Sequence, residues 1–115
     1  MNPVPSDEAR AAFDDIAEAL AGAGARTGSM FGMPCLKAGN KAFAGMYGDA
    51  ATFKLPAGEL ERALALPGVE LFDPSGGRPM REWAQVPLAS SAEWPALAEA
   101  AHAYVARTST GTSKA

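Results

Sequence analysis

A chain of 115 residues with 48% hydrophobic and 20% charged content has the composition of one globular domain, not of a disordered segment. A formal net charge of -3 and a pI near 5.0 oppose any general attraction to nucleic acid, which depends on clustered Lys and Arg. No apolar run reaches the roughly 18 to 20 residues of a membrane helix, the first residues lack a signal-peptide pattern, and the lone Cys35 can form no internal disulfide. The expectation is a cytoplasmic domain with no membrane, metal or cofactor involvement.

In chain order, residues 1–5 form an extended lead-in with two prolines, and Ser6 is placed to cap a helix whose first turn carries Asp7 and Glu8. Ala9, Phe13, Ile16, Ala17 and Leu20 fall on one stripe of that helix, with Asp14, Asp15 and Glu18 towards its solvated side. Gly22 to Gly24 end it.

The organising stretch is Gly28 to Leu55. Gly39-Asn40 and Gly48-Asp49 separate three β-prone runs, near 29–37, 41–47 and 51–55, and predict two tight primed hairpin turns. Alternation in the middle run puts Phe43, Gly45 and Tyr47 on one face and Ala42, Ala44 and Met46 on the other. Both faces are largely apolar, so helices are expected over one and a further cover, such as a second subunit, over the other. Gly32 and Gly45 are read as strand glycines marking close packing or a bulge.

Pro56 opens a short helix near 57–66 with Leu60 and Leu64 as its apolar pair, stopped by Pro67-Gly68. Val69 to Asp73 reads as a fourth strand, Pro74 to Gly77 as a turn, and Met80 to Val86 as a fifth. In that fifth strand Arg81, Trp83 and Gln85 share a partly wet face, opposite Met80, Glu82, Ala84 and Val86. A final helix begins near Ser91, with Ser90 and Glu93 at capping-box spacing and an apolar stripe of Trp94, Leu97, Ala98, Ala101, Tyr104 and Val105. Residues 1–107 therefore form a single domain, and 108–115 read as a disordered tail.

Catalytic chemistry finds little support. Cys35 reads as a buried apolar-like residue, His102 has no ligand partners beyond Glu99, and neither a nucleophile elbow nor a phosphate loop is present. The most suggestive polar segment runs from Ser75 to Trp83. Gly76 and Gly77 can present backbone N–H groups to an anion, Arg78 and Arg81 add forked donors, and Trp83 supplies an aromatic anchor. The bland alternative is an ordinary hairpin in which Arg78 or Arg81 pairs with Asp73 or Glu82.

Met30-Phe31-Gly32, Phe43-Ala44, Phe53-Lys54-Leu55, Arg78-Pro79-Met80 with Trp83, and Val86-Pro87 before the closing helix together resemble the TfoX N-terminal domain family over roughly residues 10 to 106. The resemblance implies an α+β two-layer domain: a five-stranded, mainly antiparallel sheet with N- and C-terminal helices packed on it, of secretion-chaperone-like or YjbR-like shape. The resemblance is confined to the N-terminal domain of the full-length competence regulator, so that regulator's role is not carried over, and the family offers no catalytic set to carry over. The functional expectation is a non-enzymatic domain acting through protein contacts, as a homodimer and a transcription-related accessory factor, using Arg78, Arg81 and Trp83. The alternatives are a small-molecule or anion-binding domain built on Gly76, Gly77 and Arg78, and a weak DNA-binding regulator.

Overall fold

The computed structural model describes residues 4–30, 32–73, 77 and 80–114, with the side chains of Met30 and of residues 108–114 outside the description. Its elements are α1 (Asp7–Ala21), β1 (Ala25–Met30), β2 (Met33–Ala38), β3 (Lys41–Tyr47), β4 (Ala50–Lys54), α2 (Ala57–Leu64), β5 (Glu70–Leu71), β6 (Trp83–Val86) and α3 (Trp94–Lys114), with a 3-10 segment at Leu88–Glu93. The six strands form one antiparallel sheet in the order β1-β2-β3-β4-β6-β5, and α1 and α3 pack on one face of it. This is the expected α+β architecture, with one strand more.

The extra strand comes from Gly32. Its φ of 77° is left-handed, a conformation that a glycine adopts without a Cβ penalty, so the run expected as one strand over 29–37 folds back on itself and pairs Met30 with Met33. The two anticipated turns form as well, with Gly39 at φ 63° and Gly48 at φ 60°. Four consecutive strands are thus joined by tight reversals.

Alternation fails once, at β3. Leu36 pairs with Ala44 but Lys37 pairs with Ala42, so Phe43 is an additional residue opposite that step, a β-bulge. Phe43 consequently joins Ala44 and Met46 on the helix side, where its ring meets His102 of α3 edge-on at 5.1 Å. This corrects the expected grouping of Phe43 with Gly45 and Tyr47. The register otherwise runs straight across all six strands: Thr27, Leu36, Ala44, Phe53, Ala84 and Leu71 form one row facing the helices. Gly28, Cys35, Gly45, Thr52, Gln85 and Glu70 form the adjacent row on the other face.

The centre of that second face is buried within a single chain. Met33, Phe72 and Trp83 form a cluster with Ala42, Tyr47 and Met80 against it, and Tyr47 meets Phe72 edge-on at 5.2 Å. Thr52 is fully buried there and donates its hydroxyl to the Gly45 carbonyl at 3.2 Å. Met80 belongs to this cluster, not to the Ala84 and Val86 face. The reason is a turn before β6, closed by the Trp83 N–H donating to the Met80 carbonyl at 3.0 Å, which breaks the alternation expected from Met80 onward. The fourth expected strand is likewise cut to Glu70–Leu71.

Helix ends follow local chemistry with two exceptions. Ser6 caps α1, its Oγ accepting from the Ala9 N–H at 3.2 Å, while its own N–H donates to Asp49 in the β3–β4 turn at 2.6 Å. Ser90 and Glu93 form no capping box; the Ser90 hydroxyl points to the Pro67 carbonyl at 3.5 Å, and Pro95 sits in the first turn of α3, where its missing N–H is harmless. In α2, Ala63 and not Leu64 is buried, Leu64 being 36% exposed. The backbone of α3 runs helically to Lys114.

Replacing Ser6 with Ala removes the side-chain cap but keeps the backbone N–H that bonds Asp49. The expected loss is about 1 kcal/mol, a fall in Tm of roughly 4 to 8 °C for a domain of this size, read by thermal denaturation.

Candidate functional site

The segment singled out by its glycines and arginines does not assemble as an anion cradle among the described residues. Gly76 and Arg78 lie outside them. The Gly77 N–H already donates to the Asp73 carboxylate at 3.1 Å, so one amide of the expected cradle is spent on the protein's own anion. Arg81 is exposed, but Trp83 is only 7% exposed and belongs to the cluster with Met33 and Phe72. The arginine and the aromatic therefore do not form one displayed surface.

Glu82 is held by neighbours from two other elements. Tyr104 of α3 donates its hydroxyl to Oε2 at 2.5 Å, and Lys54 at the end of β4 lies 3.6 Å from Oε1. The Tyr104 hydroxyl is pushed above its ordinary range, first by that hydrogen bond and then by partial burial and the Glu82 charge, with Arg107 opposing. This arrangement ties α3 to the sheet, and the raised pKa makes the Tyr104 hydroxyl a weaker acid.

Cys35 and His102 cannot act together. Cys35 is 1% exposed on the second face of the sheet, and burial raises its thiol above the ordinary range despite the lowering effect of Lys37. His102 lies on the helix side against Phe43. Among the described residues no group of three or more His, Cys, Asp or Glu is placed to hold a metal.

The feature best shaped for a ligand is a cleft of about 280 Å³ between α1 and the start of α3. Ala12, Ile16 and Leu20 supply one wall, at successive turns of α1. Trp94 and Pro95 supply the other, with Asp15 of α1 and Glu99 of α3 also lining it. Trp94 is fully buried, and its indole Nε1–H has no acceptor among the described residues. A second cavity of about 220 Å³, between α2 and α3, is less suited, since its Arg62 and Glu59 already pair at 2.6 Å.

Sequence reading placed Ile16, Leu20 and Trp94 on apolar stripes without seeing that they line one cleft; it put Asp15 on the solvated side, and Asp15 is exposed while lining that cleft. The available signal was the small residues Ala12 and Ala19, which flank Ile16 at helical spacing and leave room where a larger side chain would close the gap.

Comparison of the chain with family models, curated proteins and solved structures finds no match.

Two measurements check these environments. Cys35 is expected to resist alkylation in the folded protein and to react on unfolding, so equal rates in buffer and denaturant would contradict its burial. For Tyr104, a folded pKa raised above the ordinary 10.0 stabilises the fold fully below that pH, and the contribution is lost as pH rises through the folded value. Tyrosine ring NMR across alkaline pH should therefore show Glu82→Gln lowering the Tyr104 midpoint.

Proposed function

We propose that this chain is a small non-enzymatic binding domain that takes an apolar small molecule bearing a hydrogen-bond acceptor in the cleft between α1 and α3. The observation that carries this reading is Trp94, which lines the cleft and whose fully buried indole has a donor unmatched among the described residues. A buried donor left without an acceptor costs about 1 to 3 kcal/mol, which an incoming carbonyl or ether oxygen would recover. Apolar walls with few polar groups are the usual make-up of a ligand pocket, and the volume suits a compact ligand.

The separation of Cys35 and His102 by the sheet supports a binding role over a catalytic one. The reading through protein contacts at Arg81 and Trp83 loses its aromatic anchor to burial, and dimerisation through the second face has less to gain because Met33, Cys35, Thr52 and Trp83 are already covered. The acidic side chains of the cleft give nucleic acid no purchase there. In a TfoX-like accessory role, occupancy of this cleft would be the signal passed on.

A fragment screen of apolar carbonyl compounds, followed through the indole ¹H–¹⁵N resonances, tests the proposal. Binders are expected to move the resonance that Trp94→Phe removes, and Ala19→Phe, which fills the cleft from its exposed rim, is expected to abolish the response while the fold persists by circular dichroism. A screen in which no compound moves that resonance would leave the donor to water and overturn the reading.

A further inference from the structure

We infer that the ligand of the α1/α3 cleft is an apolar amine, with a protonated amino group beside its acceptor as in an α-amino amide. This rests on the cleft being a binding site and adds the charge of what it binds. Asp15 and Glu99 line it from opposing helices, and neither has a cationic partner among the described residues. No base lines the cleft among the described residues; Arg10 of α1 lies 3.9 Å from Asp14, and Arg62 of α2 pairs with Glu59. Two acidic groups beside an apolar floor favour a ligand whose polar end is positive, and disfavour a carboxylate or phosphate by like-charge repulsion.

One feature pulls the other way. The start of α3 at Trp94 and Pro95 presents the positive end of a helix, equivalent to about half a charge and felt within the first turn. The 3-10 segment before it weakens that pull, because the Trp94 N–H is already donated to the Ser91 carbonyl. Two full carboxylates outweigh the remainder. The resulting pattern has three parts: an apolar body against Ile16 and Leu20, an acceptor for the Trp94 indole N–H, and an ammonium between Asp15 and Glu99.

Three probes share the phenylalanine skeleton and span three charges, the two acetylated ones carrying a second carbonyl: phenylalaninamide, N-acetylphenylalaninamide and N-acetylphenylalanine. Each is titrated into the whole chain and followed through the Trp94 indole resonance. The cation is expected to bind tightest and the anion weakest, with the cation roughly fivefold or more ahead of the neutral probe at low salt, since each exposed charge pair contributes only modestly. Raising salt from about 20 mM to about 500 mM should erase most of that preference. The double variant Asp15→Asn, Glu99→Gln should lose the preference while keeping affinity for the neutral probe. Equal binding of all three, or tightest binding of the anion, would overturn the charge assignment and leave the cleft standing. Binding by none of the three would overturn the amine even if other carbonyl compounds bind, and failure of those too would remove the site itself.

Discussion

One additional residue in β3 decides which side chains reach the helices. By strict alternation Phe43 would point away from α3 and a small residue would take its place in the main core. The bulge opposite Leu36 and Lys37 instead turns Phe43 and Ala44 to the same side, so the large ring meets His102 while Ala44 leaves space beside it. Position along α3 is then set by Phe43 of β3 against His102, by Glu82 just before β6 accepting from Tyr104, and by the burial of Trp94 in the main core at the helix start. With α3 fixed, the gap it leaves against α1 is fixed too.

The two faces of the sheet are treated differently. On the helix side the row from Leu36 through Ala44, Phe53 and Ala84 alternates large with small, as interdigitating layers require. On the other side the centre is small and tight, with Cys35, Gly45 and Thr52 abreast, and the bulk is supplied from the edges by Tyr47, Phe72, Met80 and Trp83. Lys37 reinforces this cover: its aliphatic stem lies where a Cβ on Gly28 would come within 3.1 Å of Cε. A pattern that looked like an open apolar face awaiting a partner is therefore closed by the chain's own residues.

Much of the fold was legible because it rests on local signals. The Ser6 cap, the Gly39-Asn40 and Gly48-Asp49 turns, and the apolar stripe of α3 each depend on residues a few positions apart. What escaped was of two kinds. Gly32 and the bulge at Phe43 interrupt a period that sequence alone assumes to continue, and a glycine in an apolar run does not declare whether it extends a strand or reverses it. The cleft escaped for a different reason: its walls are some eighty residues apart, and each wall reads locally as an ordinary helix face. The arginines and glycines of 76–81 drew attention by type, whereas the groups that carry the site, an indole N–H and two acidic residues on separate helices, are unremarkable until tertiary packing brings them together.

That separation has a kinetic side. The four strands from β1 to β4 close through tight turns, each of which costs little loop entropy and can form early. Docking of α1 against α3 joins the two ends of the chain and bears the largest loop penalty of any contact here. The wall between them can part while the meander stays intact, since no sheet hydrogen bond runs through it. A molecule held in the proposed cleft would bridge the first and last helices and oppose that parting.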